Sequence, residues 1–143
     1  MKLFTFKLGN DNFGIEAKYV YRVLDDVRIT PVCLMPPFYL GLLYNRGELF
    51  DVIDLGVLLD KDVSLQENPR LMVIRWENRK LAISPGIIQG LVWIENDMER
   101  DALICEGGGM VHLITPKQIW EKMGRQLDRS GKENPQNTAE RTA

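Results

Sequence analysis

Short runs of alternating apolar and polar residues recur along the chain and predict β-strands. Near the start, Phe4, Phe6 and Leu8 alternate with polar residues, as expected of a strand with one buried face. The turn-forming residues 9–12 come next, and residues 13–15 return to an apolar pattern. The pattern therefore predicts a β-hairpin at the beginning of the chain.

The clearest pattern is a pair of apolar runs at residues 40–44 and 48–53, separated by the polar residues Asn45, Arg46 and Gly47. Gly47 has no Cβ and can adopt a positive φ angle, which suits a tight turn between two strands. The pattern predicts a hairpin that displays Arg46 at its tip while its surroundings are buried. A single fixed cation on an apolar platform is more typical of docking to a partner than of bond-making chemistry.

The second half of the chain repeats this organisation after a polar connection. Further strands are predicted at residues 71–76, 81–84, 87–94, 102–105 and 110–114. The first of them is apolar on both faces, so we expect it to lie in the centre of a sheet.

A weak internal repeat relates residues 47–54 to residues 108–115, at a period of about 61 residues. Each copy begins with glycine, continues as an apolar strand and ends in a helix-capping residue that precedes a helical turn. This similarity predicts two β lobes, at about residues 1–60 and 70–124, with strands that the lobes can share. Together they form one domain over residues 1–124.

The last helix has the best-marked beginning of any predicted element. Thr115 and Gln118 match a capping box, and Pro116 occupies the first turn. Gly124 is expected to end or fray the helix, and the polar residues 125–143 are expected to be disordered. One apolar face is predicted from Ile119, Trp120, Met123 and Leu127.

Composition excludes several classes of protein. The chain has 143 residues, of which 45% are hydrophobic, enough for one domain with a sizeable core. The net charge of -2 gives no electrostatic basis for binding nucleic acid. There is no apolar run long enough to span a membrane, and the first residues read as a strand rather than a signal peptide. We therefore expect a cytoplasmic protein that does not insert into the membrane.

The reactive residue types are few and scattered. Cys33 and Cys105 are expected to be free thiols in or near the core. These two cysteines and the single histidine, His112, lack the short spacing of metal ligands, which makes a structural zinc site improbable. Asp51 and Asp54 are three residues apart, so they fall on opposite faces of a strand, and Asp54 suits a helix cap. The chain supplies no nucleophile with its base, metal cluster or cofactor loop, so we expect neither an enzyme nor a cofactor.

Residues 40–59 resemble the signature of the CheW-like family, the coupling proteins of bacterial chemotaxis. That signature is roughly a glycine, two or three apolar residues, asparagine, an apolar residue, Arg-Gly, and an apolar strand ending in Asp-Leu. The positions that match are Gly41, Arg46, Gly47, Ile53, Asp54 and Leu55. Tyr44 departs from the usual asparagine, and Asp51 departs from the usual proline. The resemblance extends over residues 2–124.

The resemblance implies an all-β fold with a short C-terminal helix, in which each lobe is a five-stranded SH3-like barrel and a groove separates the two. It also implies a non-catalytic adaptor that links the helical tip of a chemoreceptor to the regulatory domain of a sensor histidine kinase. The implied protein-binding residues are Val20, Arg22, Gly41, Arg46 and Gly47.

Two departures suggest a divergent member. Arg22 replaces the family's usual glutamate, and this reversal of charge at a contact would change the choice of partner. The connection at residues 95–101 is shorter than in the family, which predicts a trimmed second lobe.

Several residues have structural interpretations that the sequence does not separate from functional ones. Arg46 can anchor a partner or tie loop carbonyls or Asp54 within the lobe. Gly41 can leave room for a partner or permit close strand packing, and Val20 can lie at the surface or in the core. An alternative function is a small β-barrel ligand binder or enzyme that uses the cleft between the lobes, with His112 or Asp51 taking part.

Overall fold

A computed structural model describes residues 2–61, 70–93, 102–104 and 110–133, with the side chains of the last segment described as far as Leu127. The strands are β1 (Lys2–Leu8), β2 (Asp11–Glu16), β3 (Val20–Leu24), β4 (Tyr39–Asn45), β5 (Glu48–Asp54), β6 (Leu71–Trp76), β7 (Arg79–Ser84), β8 (Ile87–Trp93), β9 (Ala102–Ile104) and β10 (Met110–Leu113). The helices are α1 (Leu55–Leu58) and α2 (Pro116–Glu133), and a 3₁₀ turn precedes β3. The strands predicted from the apolar runs are confirmed.

The strands form two five-stranded sheets. Sheet A has the order β8-β1-β2-β10-β9, and sheet B has the order β3-β6-β7-β5-β4. In each sheet one central pair is parallel, β10 with β2 and β5 with β7, and the ladders between all other neighbours are antiparallel. The prediction of a mostly β fold with a C-terminal helix is therefore confirmed.

The two sheets have the same topology, and each takes strands from both halves of the chain. The hairpin β1–β2 lies in sheet A with β8, β9 and β10, whereas the hairpin β6–β7 lies in sheet B with β3, β4 and β5. In both sheets the hairpin sits between an antiparallel strand and a parallel strand that leads into a helix. The predicted repeat therefore corresponds to two units that have exchanged their hairpins.

The prediction allowed the two lobes to share strands, and the ladders show which strands pair across the two halves of the chain. A lobe over residues 1–60 and another over residues 70–124 would each keep its own hairpin, but the ladders join each hairpin to the other half. Strand pairing is not local in sequence, so a periodic pattern along the chain does not reveal it.

The larger core lies between the sheets and draws on both of them. Phe6 and Ile15 from sheet A, and Ile53 and Ile74 from sheet B, are completely buried in it. Its other buried members are Leu8, Phe13, Phe38, Leu55, Leu58, Met72, Leu81, Ile83, Ile114 and Ile119. Burial of a large apolar side chain contributes roughly 1.5–3 kcal/mol, so this core binds the two sheets into one unit.

A smaller core lies on the other face of sheet B. Leu71 and Val73 face this core, whereas Met72 and Ile74 face the larger one, so β6 is buried on both sides. The central position predicted for this strand is confirmed. The buried residues of the smaller core are Leu43, Phe50, Val52, Leu71, Val73 and Ala82.

Helix α2 begins as predicted but does not end as predicted. The amide of Gln118 donates to Thr115 Oγ1 at 3.3 Å, and the amide of Thr115 donates to Gln118 Oε1 at 3.0 Å, which completes the capping box. The helix then continues through Gly124 to Glu133, so the predicted end at Gly124 and the predicted disorder of residues 125–133 are wrong. Beyond the glycine, the Gln126 side chain donates to the carbonyl oxygen of Leu58 at 3.0 Å and holds the helix against α1.

Aromatic side chains attach α2 to sheet B. The rings of Trp76 and Trp120 lie 5.6 Å apart, and the guanidinium of Arg79 lies 4.9 Å and 5.1 Å from their centroids. Trp76 and Trp120 are partly buried and Arg79 is exposed, so this cluster lies at the surface, at the edge of the larger core.

One predicted core residue is at the surface. Cys33 is exposed, since it lies in the loop between the bridge at Thr30 and the start of β4. Cys105, the predicted short connection at residues 95–101 and the tail at residues 134–143 lie outside the described residues. Within the described part of the chain, no helix is both long and apolar enough to cross a membrane.

We predict that Gly41→Ala destabilises the protein by about 2 kcal/mol or more. Gly41 has a φ angle of +143°, and a Cβ atom there would lie 2.1 Å from the carbonyl oxygen of Thr30. That oxygen accepts a 2.8 Å hydrogen bond from Leu42, so it is not free to move. Urea unfolding would measure the loss. The control is Gly124→Ala, which meets nothing within 4 Å in a helix and should stabilise by about 1 kcal/mol.

Candidate functional site

Arg46 and Gly47 form a two-residue turn at the tip of the β4–β5 hairpin. Asn45 pairs with Glu48 across the ladder, so the turn is one residue shorter than the predicted three. Arg46 has a φ angle of +49° and Gly47 one of +80°, the combination found in a type I′ turn. Both residues are exposed, and the guanidinium is therefore presented from a tightly defined backbone.

Arg22 on β3 contacts the two residues that flank this turn. One guanidinium nitrogen donates to Asn45 Oδ1 at 3.2 Å, and the other lies 3.1 Å from Glu48 Oε2 and 3.0 Å from the Tyr21 hydroxyl. Because β3 and β4 are the two edges of sheet B, these contacts require the sheet to curl so that its edges approach each other. The guanidinium is thus engaged within the molecule, whereas its position was predicted to face a partner.

Tyr21 is surrounded by cations. Its ring centroid lies 4.3 Å from Lys80 Nζ, 4.6 Å from the Arg22 guanidinium carbon and 5.4 Å from that of Arg75. Arg75 and Lys80 are directly opposite each other in the β6–β7 ladder. We call Arg22, Arg75 and Lys80 the cationic ring.

Of the carboxylates that the structure describes, that of Glu48 lies in the cationic ring. It accepts a short hydrogen bond from Lys80 and pairs with Arg22. The bond from Lys80 is the main reason that the pKa of Glu48 lies below its ordinary value, and the same bond raises the pKa of the Lys80 ammonium group.

An exposed apolar pair accompanies Arg46 on the hairpin. Tyr44 is 71% exposed and Leu49 is 64% exposed, and the two are opposite each other in the ladder. Tyr44 was predicted only to depart from the family pattern, and Leu49 was not predicted to belong to a site. Leu49 lies between Glu48 and the buried Phe50. Because side chains alternate between the two faces of a strand, this position could have predicted that Leu49 is exposed.

The remaining predicted protein-binding residues lie farther from the tip. Val20 is half-buried and packs on the core between the sheets. Gly41 is buried beneath Thr30, four residues before the end of β4. These positions favour structural roles for both residues.

The aspartates of the hairpin do not form a carboxylate pair. Asp54 accepts a hydrogen bond from the amide of Val57 at 3.2 Å and caps α1, as predicted. Asp51 accepts one from the Tyr39 hydroxyl at 2.6 Å. Burial, and then this bond to Asp51, raise the pKa of Tyr39 to about 12.

A cavity of about 270 Å³ lies between α2 and the neighbouring β10 and β2. Its lining residues are Phe13, Leu59, Leu113, Ile114, Gln118, Lys122 and Arg125. Neither His112 nor Asp51 lines it, so the two residues considered for a cleft-based enzyme lie outside this cavity. His112 is half-buried, and its ring centroid lies 5.5 Å from that of Phe13. Among the described residues, no three potential metal ligands are grouped.

We predict that Glu48→Gln lowers stability at neutral pH but not in acid. Because folding depresses the pKa of Glu48, its contribution is present above the ordinary carboxyl pKa and is lost as the pH falls through the folded value. The urea midpoints of wild type and variant should therefore differ at pH 7 and converge near pH 3. Glu121→Gln, on the exposed face of α2, should show no such pH-dependent difference. A constant difference across this range would contradict the assignment.

Comparison with known proteins identifies a family and several relatives. Residues 2–115 match the family model of the CheW-like domain. The chain is 30% identical over 79 residues to a chemotaxis protein CheW of Klebsiella aerogenes, covering 54% of this chain and 48% of that protein. It is 33% identical over 60 residues to protein FrzA of Myxococcus xanthus, covering 42% and 38%. The matched parts therefore span about half or less of these relatives.

The fold is also found in a solved structure. The scaffolding protein TtCheW from Thermoanaerobacter tengcongensis superposes with a TM-score of 0.67 at 20% identity, over 79% of this chain and 87% of that one. Likeness at this identity concerns the fold. The family match covers both sheets, from β1 to the residue that caps α2. This chain belongs to the CheW-like domain family.

Proposed function

We propose that this chain is a non-catalytic cytoplasmic adaptor that couples a chemoreceptor to a sensor histidine kinase in chemotaxis-type signalling. The match to the CheW-like domain over residues 2–115 supports this role. So do the names of the relatives, a chemotaxis protein and a scaffolding protein. In this proposal one surface takes the helical tip of the receptor, and strand ends meet the regulatory domain of the kinase.

The observation that carries the proposal is the exposed tip of the β4–β5 hairpin. Arg46 stands on a two-residue turn beside the exposed pair Tyr44 and Leu49. Arginine and aromatic residues are enriched where protein interfaces derive most of their binding energy. An exposed apolar pair that flanks a fixed arginine suits a partner that presents an apolar surface and an acceptor for the guanidinium.

The predicted protein-binding residues take different roles in this proposal. Arg46 and Gly47 contact the partner, because both are exposed on the turn. Gly41 and Val20 shape the surface from below. Arg22 positions the turn through Asn45 and Glu48, and this role differs from the direct contact first expected for it.

We further propose that each sheet closes into an SH3-like barrel. In sheet B the contact from Arg22 on β3 to Asn45 on β4 spans the two edges, and the smaller core fills the concave face. Such closure would fix the hairpin tip relative to β3 without a backbone ladder between the edges.

We predict that Arg46→Glu weakens binding to the receptor or kinase by about 30-fold or more, the loss expected for a central interface arginine. The partner is first recovered by pull-down from cytoplasmic and membrane fractions and identified as a chemoreceptor or histidine kinase. Its affinity for the purified wild type and variant is then measured by titration. The change should leave the fold intact because Arg46 is exposed at a turn.

The matched control is Lys117→Glu, which makes the same change of charge on an exposed residue of α2. It should bind like wild type. Recovery of neither a receptor nor a kinase by the wild-type protein would contradict the adaptor role. Equal loss of binding in both variants would show that net charge, rather than the turn, controls the interaction.

A further inference from the structure

The cationic ring contains more positive charge than its own carboxylate balances. Arg22, Arg75 and Lys80 converge on the ring of Tyr21, whereas Glu48 is the carboxylate that pairs with two of them. Arg46 adds a further cation at the neighbouring turn. This end of sheet B is therefore cationic, although the chain as a whole has a net charge of -2.

Within the described part of the chain, Arg75 is the member of the cationic ring that pairs with no carboxylate. It is exposed, and no carboxylate of the described residues lies within 4 Å of its guanidinium, including Glu77 on the adjacent turn. Its cross-strand neighbour is Lys80, and like charges directly opposite each other destabilise a sheet. An external anion beside Arg75 would reduce the repulsion between these two like charges.

The ion pairs of Glu48 indicate which kind of anion suits the cationic ring. Its carboxylate bridges Lys80 and Arg22, and its environment lowers its pKa in keeping with a site that favours carboxylates. A second carboxylate beside Arg75 would repeat this arrangement on the exposed side of the ring.

We propose that the cationic ring is a docking site for an acidic segment of the partner protein, whose carboxylates pair with Arg75 and Lys80. This inference rests on the proposed adaptor function and names the chemistry of the partner. Because Arg22 hydrogen-bonds Asn45, the residue before Arg46, an occupant of the ring also contacts the network that positions the hairpin tip.

The test uses a synthetic 12-residue peptide rich in glutamate and an otherwise identical peptide with glutamine in its place. Each is titrated into ¹⁵N-labelled protein at low and at moderate salt. The glutamate peptide should shift amide signals of β3, β6, β7 and the Arg46 turn, with an affinity that falls as salt rises. The glutamine peptide should produce no saturable shifts.

Arg75→Gln should weaken binding of the glutamate peptide by about tenfold, the loss expected for a charge-assisted hydrogen bond. The control Lys117→Gln removes the same charge from α2 and should bind like wild type. The spectra themselves report whether each variant is folded. Equal affinity of Arg75→Gln and wild type, or shifts spread over the surface, would overturn the proposal. Tighter binding of tripolyphosphate than of the peptide at the same residues would also overturn it, in favour of a phosphate ligand.

Failure of this inference is distinguishable from failure of the adaptor role. If Arg46→Glu loses the receptor or kinase while Arg75→Gln keeps both partner and peptide, the acidic docking site is refuted and the adaptor role stands. If Arg75→Gln loses the peptide and weakens an identified partner as well, the docking site is supported in its functional setting.

Discussion

Each sheet of this protein depends on a hairpin that the other half of the chain supplies. Without β6–β7, sheet B would lose the two strands that lie between β3 and β5, and sheet A would lose the equivalent pair without β1–β2. The core between the sheets also takes buried residues from both halves. Neither half can therefore bury its apolar surface alone, and we expect the described sheets to unfold as one cooperative unit. The ladders that close each sheet are distant in sequence, which makes their formation the slow step.

The same exchange positions the candidate site. The hairpin that presents Arg46 is held by the parallel pairing of β5 with β7, a strand from the second half. Lys80 on β7 forms an ion pair with Glu48 at the start of β5. Arg22 on the edge strand β3 forms an ion pair with the same carboxylate. Ion pairs that are open to solvent in this way are screened and contribute little to stability. The smaller core beneath therefore supplies most of the stability, and the ion pairs fix the orientation of the tip.

Local features of the structure were predictable, and non-local ones were not. The strands, the capping box of α2 and the cap by Asp54 depend on neighbouring residues, so their patterns can be recognised along the chain. The exchange of hairpins depends on pairing between residues far apart, which no local pattern encodes. The internal bonds of Arg22 have the same origin, because the sequence did not indicate that β3 would face the β4–β5 hairpin. Helix α2 continues through Gly124 because the hydrogen bond from Gln126 to Leu58 of α1 outweighs the low helix propensity of glycine.

The backbone of the Arg46 turn does not by itself mark a binding site. The turn between β6 and β7 has the same pair of positive φ angles, at Glu77 and Asn78, and it also begins with a charged residue. Asparagine or glycine would adopt this conformation at lower cost at either first position. What distinguishes Arg46 is the exposed apolar pair Tyr44 and Leu49 beside it, because Trp76 and Arg79, which flank the other turn, pack against Trp120 of α2. The exposed apolar pair next to Arg46, rather than the turn geometry that both hairpins share, therefore indicates a partner surface.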